Sequence, residues 1–281
     1  MIADHLFFTC INILLGWSVY VTLLTGNLSF AQGAFMAVGC YAAGWLTVKA
    51  GLPMLPATLI AAVVASGIAL LIGYPALRLR GIYLILATLG LTFCIRVLLE
   101  NLSFVGGIGG FGGMTGGDLP KAALAVALVG LGLWLVSKSP LQRMLDAVRE
   151  DDRVAAALGI HVTAIRLLGF AAGAAIAAVA GMLYGHYMSF VRPENFDVML
   201  SIYAVLYIVL GGVNNLWGAV LGAAIMTLLP EYIRFMADWR PTVFGACVLV
   251  LLLFRPPGLL AFRSVTALSL HGSRGAPKQK S

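Results

Sequence analysis

Residues 141–160 read LQRMLDAVREDDRVAAALGI, and seven of these twenty are charged. The whole 281-residue chain holds only 18 Lys and Arg and 11 Asp and Glu, so the segment is a polar island. It is too polar to cross a bilayer and too patterned for a slack linker. Ser139 and Pro140 suit a helix start, and Gln142 stands where it would close a capping box with Ser139. Leu141, Met144, Leu145 and Val148 then recur at i, i+3, i+4 and i+7 on one face. Asp151 or Asp152 suits the cap of a second short helix through the alanines, and Gly159 suits its end. The spacing predicts a pair of short cytoplasmic helices that another protein grips. A solvated connector with incidental amphipathicity meets the same pattern, and the residues alone leave both readings open.

What surrounds the island sets the class. The chain is 61% hydrophobic and 10% charged, with mean hydropathy +0.98. Soluble domains carry roughly 25% charged residues, so repeated apolar runs make this a polytopic membrane protein. The runs are 6–25, 28–48, 53–77, 82–100, 120–137, 165–190, 199–213, 216–236 and 241–254. Each approaches the length that a helix needs across about 30 Å of hydrocarbon. Backbone groups in lipid must bond within their own segment, and the runs lack the alternation of barrel strands. The expected fold is an all-α bundle of 8–9 spans filling 1–262, with a polar, disordered basic tail over 263–281 that follows FRPPGLL (254–260). The first run has no Lys or Arg before it and is read as a retained anchor.

The +7 formal charge reflects membrane topology rather than nucleic acid. Arg78, Arg80, Lys138, Arg143, Arg149, Arg153, Arg166, Arg255, Arg263, Arg274, Lys278 and Lys280 fall on one side. Lys49, Lys121, Arg192, Arg234 and Arg240 fall on the other. The positive-inside rule puts 138–166 and the tail in the cytoplasm and the N-terminus outside. The breaks at Gly26–Asn27 and Gly211–Asn215 read either as full reversals or as kinks and re-entrant turns.

Chemistry inside the spans is sparse. Cys10, Cys40, Cys94 and Cys247 stand singly and read as packing residues, with no metal spacing. Small residues crowd 34–44, 169–181 and 218–224, which suits close helix approach in lipid. Asn27, Ser29 and Gln32 open the second span; Asn214 and Asn215, followed by Trp217, open the eighth. In both places a Gly/Asn break precedes a small-residue helix, as at plain turns and at the broken helices of transport sites. Asn27, Gln32, Asn214 and Trp217 are therefore the candidate path residues. Arg96 and Glu100 share a helix face, which suits an intrahelical ion pair or a functional one. No acid sits at mid-span, which disfavours an ion-coupled carrier. His186 and Ser189 lack the partners that an intramembrane enzyme would need. The glycine-rich loop 103–118 lacks the Lys-Ser/Thr of a phosphate loop and is expected to be a flexible external cap. The outer loop 191–198 carries Arg192, Glu194 and Asp197, either simply solvated or a docking rim.

Five segments together carry a resemblance: GNLSFAQGAFMAVGCYAA (26–43), LRLRGIYLILATLG (77–90), AVREDDRVAAALGIHV (147–162), YIVLGGVNNLWGAVLGA (207–223) and LLLFRPPGLL (251–260). The chain resembles the permeases of Liv-type ABC importers for branched-chain amino acids, and their M subunit most. The resemblance implies a non-catalytic permease subunit in the bacterial inner membrane. Its expected partners are an H-type permease, two ATPases holding ATP and Mg, and a periplasmic binding protein that docks on the outer loops. No cofactor is expected on this chain. The coupling loop would use Arg143, Asp146, Arg149, Glu150, Asp151, Asp152, Arg153, Ala156, Leu158 and Gly159. Val154–Gly159 matches only loosely the Glu-Ala-Ala…Gly coupling motif of other ABC importers. A sibling permease for urea or short-chain amides would look alike in sequence.

Overall fold

The computed structural model describes residues 2–79, 81–213 and 215–232, together with Gly245. The predicted span 241–254, Gly245 apart, and the predicted tail 263–281 lie outside them. The described chain is helical: α1 (Ile2–Leu24), α2 (Gln32–Val48), α3 (Met54–Ala76), α4 (Ile82–Asn101), α5 (Leu119–Lys138), α6 (Pro140–Glu150), α7 (Asp152–Ala157), α8 (Val162–Met188), α9 (Val198–Gly211) and α10 (Leu216–Tyr232). Six described stretches are long and apolar enough to cross a membrane: Ala3–Leu24, Met54–Ala76, Ile82–Asn101, Leu119–Lys138, Val162–Met188 and Pro193–Gly211. This is a multi-pass membrane protein.

The bundle is built around α8. Its 27 residues carry Gly and Ala on most faces, so α1, α2 and α3 all reach its backbone. A methyl group at Gly39 would overlap the backbone of Ala178, and one at Gly181 would overlap the carbonyl of Met36. In lipid, where apolar burial supplies little drive, this close approach is what dispersion can use. Contacts along α2 and α8 run in step: Phe35 meets Phe170, and Thr47 meets His186. Along α1 they run opposite, with Thr25 against Gly169 and Phe7 stacked on Tyr187. Hence α1 and α2 are antiparallel and parallel to α8, respectively. On α3, Ala57, Ala61, Ala65, Ala69 and Gly73 form a buried stripe at helical spacing, while Leu55, Leu59, Val63 and Leu71 face outward.

The two ends of the bundle differ. At one end α6 and α7 meet the first turns of α8; this is the basic end. At the other, β1 (Phe111–Gly112) pairs antiparallel with β2 (Phe190–Val191). There the glycine-rich loop 103–118 forms two short 3-10 turns and is pinned down, contrary to the loose cap its composition suggests. Gly113 donates to Ser189 O at 3.1 Å and Gly117 to His186 O at 3.3 Å, and Met114 is fully buried. Its glycines serve close backbone approach as well as turning.

Both sequence breaks are resolved. Gly211 lies against Gly218 and Gly222 against Tyr207, so α9 and α10 form a tight antiparallel hairpin. The Gly26–Asn27 break is different. The predicted span 28–48 is helical only from Gln32, and residues 27–31 are irregular yet largely buried.

Candidate functional site

The basic end carries the helix pair expected from 141–160. Ser139 and Pro140 start α6, but Ser139 Oγ donates back to Val136 O at 2.8 Å, and Gln142 donates to Asp146 at 2.9 Å. The expected capping box is therefore absent: both side chains have nearer partners. The apolar face is split as well. Leu145 and Val148 are buried, whereas Leu141 and Met144 are exposed. Asp151 caps α7, accepting from Arg153 N at 2.7 Å and Val154 N at 3.3 Å. Gly159 ends it at φ +81, a conformation that L residues avoid. Val154 on α7 and Leu158 at its end are 57% and 71% exposed. Arg143, Glu150, Arg153 and Ala156 are exposed beside them. Asp152 is held in an ion pair with Arg166 at 2.7 Å that ties α7 to α8.

The same end receives the turn between α1 and α2. A methyl group at Gly26 would lie 3.5 Å from Arg149 Cα, and Leu24 shares a cleft with Gln142, Asp146, Arg149 and Glu150. From this turn the chain climbs back into the bundle as irregular backbone. Such backbone is tolerated at membrane depth only if its polar groups are satisfied. Side chains from distant helices do this. Phe30 N–H donates to Thr88 Oγ1 at 3.1 Å, and Thr92 Oγ1 donates to Phe30 O at 3.0 Å. Ala31 N–H donates to Ser29 Oγ, and Gly33 N–H donates to Ser201 Oγ at 2.8 Å. Helix α2 thus starts inside the bundle on a buried polar cluster: Asn27, Ser29, Gln32, Thr88, Thr92 and Ser201. Gln32 is 1% exposed, and its Oε1 has no hydrogen-bond partner among the described residues. Thr88, Thr92 and Ser201 are the members that sequence reasoning missed. A hydroxyl repeat at i, i+4 on α4 was the available signal.

The described candidate path residues, Asn27, Gln32 and Trp217, lie in different surroundings. Asn27 and Gln32 belong to this cluster. Trp217 is 61% exposed and lines an apolar cleft with Trp17, Gly130 and Trp134. Asn214 lies outside the described residues. The rim residues also divide. Arg192 and Glu194 are exposed, and the Arg192 guanidinium sits 5.8 Å from the Phe190 ring centre. Asp197 is occupied as the cap of α9, accepting from Leu200 N at 3.2 Å. Arg96 and Glu100 form the intrahelical pair at 2.9 Å. His186 is buried and bonded to Thr47 at 3.0 Å and Met182 O at 2.9 Å, a structural arrangement.

The chain was compared with known proteins. The family model described as branched-chain amino acid transport system, permease component, matches residues 1–255. The high-affinity branched-chain amino acid transport system permease protein LivM of Salmonella typhimurium is 29% identical, with 90% of this chain and 68% of the relative covered. LivM of Escherichia coli K12 gives the same identity and coverage. The permease protein BraD of Pseudomonas aeruginosa is 35% identical over 47% of this chain and 44% of its own. No solved structure matches. These likenesses are to permease subunits of transport systems, and they agree with the resemblance to the M-type subunit carried by 26–43, 77–90, 147–162, 207–223 and 251–260. Matched over nearly its whole length, the chain belongs to the branched-chain amino acid transport system permease family.

Proposed function

We propose that this chain is a membrane-spanning subunit of an ATP-driven importer that passes leucine, isoleucine and valine across the inner membrane. In this reading the basic end is cytoplasmic. Two ATPase subunits, which hold ATP and Mg, grip α6 and α7; an H-type permease completes the pathway; and a periplasmic binding protein docks at the β1–β2 end on Arg192 and Glu194. The exposed Val154 and Leu158 give a gripping partner apolar contact, and Arg143, Glu150 and Arg153 give it register.

The observation that carries this reading is the seat of Gly26 on Arg149. It joins a helix pair that a motor could move to α2, which begins within the bundle. A shift of α6 bears on the Gly26 turn, and through residues 27–31 on the polar start of α2. Asn27 and Gln32 would then be the path residues, with the unpartnered Gln32 carbonyl able to accept from a passing ammonium group. Conformational work requires the ATPase to contact α6 and α7 differently in two states, since equal affinity shifts nothing.

The test is uptake of labelled leucine and of labelled urea in cells with and without the gene, with ATP depletion as a second arm. Loss of ATP-dependent leucine uptake is expected. Loss of urea uptake alone would move the cargo to small amides. Transport that survives ATP depletion and collapses with the ion gradient would overturn the ATP-driven reading.

A further inference from the structure

Next to the coupling pair, between α7 and the adjoining ends of α3 and α8, lies a further cleft. It has a volume of about 530 Å³ and is lined by Tyr74, Leu77 and Arg78 at the end of α3, Asp152, Arg153 and Ala156 on α7, and Val162, Thr163 and Arg166 at the start of α8. Three guanidinium groups face one carboxylate there. Asp152 takes one nitrogen of Arg166, but Arg166 Nε is buried without a hydrogen-bond partner among the described residues. An unsatisfied buried donor on a cation costs several times a typical hydrogen bond unless a ligand completes it. Arg78 is held in place: its guanidinium donates to Tyr74 Oη at 2.9 Å and lies 4.8 Å from the Tyr74 ring centre.

A second cleft of about 660 Å³ opens beside the first and shares Tyr74, Ala156, Val162 and Thr163 with it. Its other walls include Ile160, Ala164 and Leu167, so it is largely apolar. Above both, the outward face of α3 presents Leu71 and Tyr74, and α8 presents Leu168, all exposed. A basic recess thus sits at the level where the spans end, continuous with apolar surface that runs into the hydrocarbon. A water-soluble anion would use only the recess. A molecule with an anionic head and apolar chains uses both parts.

The geometry points to an anionic phospholipid bound here, its phosphodiester between Arg78 and Arg166 and its acyl chains along α3 and α8. Arginine suits this role because its planar fork meets phosphate oxygens two at a time, and basic pockets between spans recognise such headgroups. The bound head would also stand against Asp152 of the coupling pair, so the lipid would bear on the α7–α8 ion pair.

The experiment uses the full-length chain in nanodiscs of phosphatidylcholine with and without phosphatidylglycerol, and counts retained lipid by native mass spectrometry. One tightly held phosphatidylglycerol per chain is expected, with no retained phosphatidylcholine. Arg166→Gln and Arg78→Gln should each weaken retention by about tenfold, the loss of roughly one charge-assisted contact. Arg78 makes no contact with Asp152 in the ion pair, so R78Q keeps the test alive if R166Q misfolds. Undiminished retention in R78Q would overturn the site. Equal stabilisation by inorganic phosphate in phosphatidylcholine discs would overturn the lipid assignment.

Discussion

The two Gly/Asn breaks look alike in sequence and solve different problems. At Gly211–Asn215 the chain reverses and α9 packs straight onto α10, glycine against backbone. Asn215 caps the new helix locally, accepting from Trp217 N at 3.1 Å. At Gly26–Asn27 the chain reverses and then runs five irregular residues before α2 begins. Its backbone depends on Thr88, Thr92 and Ser201, which lie far along the chain. One break is closed by its own glycines; the other is held open by hydroxyls from other helices. A packed hairpin suits a scaffold. A polar start held by replaceable hydrogen bonds suits a part that moves.

Substitutions can separate the two. The largest effect is expected from Thr88→Val with Thr92→Val. It leaves Phe30 N–H and C=O unpaired at depth, for a loss of about 2–5 kcal/mol in mixed-micelle unfolding. Thr→Ser at both positions should restore most of it; failure to do so would mean that shape, not hydrogen bonding, holds the segment. Gly211→Leu should cost about 1–3 kcal/mol by overpacking, with no rescue by polar residues. Gly26→Ala forces a side chain onto φ +77 and should cost about 1–2 kcal/mol. Because the new methyl would also touch Arg149 on α6, it should lower uptake more than stability. An unchanged ratio of ATP hydrolysed to substrate moved would sever the proposed link. The smallest effect is Asn215→Ala, about 0.5–1 kcal/mol for a lost cap, with uptake kept.

How much of this the sequence foretold depends on the range of the interaction. Span positions follow from hydropathy, a property of each segment alone, and eight of the nine expected runs coincide with described helices. Asp151 and Gly159 were readable because cap and terminator act within three residues. Ser139 and Gln142 misled for the same reason: two local partners competed, and Val136 O and Asp146 won. The re-entrant start of α2 was not readable, since its hydroxyl partners sit on α4 and α9. Trp217 followed a suggestive break but faces outward, a matter of which side of α10 packs. The loop 103–118 looked slack because its anchor, the edge at Phe190–Val191, arrives much later in the chain.

The central position of α8 has a consequence for synthesis. Helices α1, α2 and α3 are all complete by Ala76, yet the surface that their small residues fit is finished only at Met188. At typical translation speeds roughly 5–20 s separate those events. Through that interval three spans wait in the bilayer with their glycine and alanine seams facing lipid or one another. In the newborn chain the seams of α1, α2 and α3 with α8 therefore close late, when α8 arrives between them.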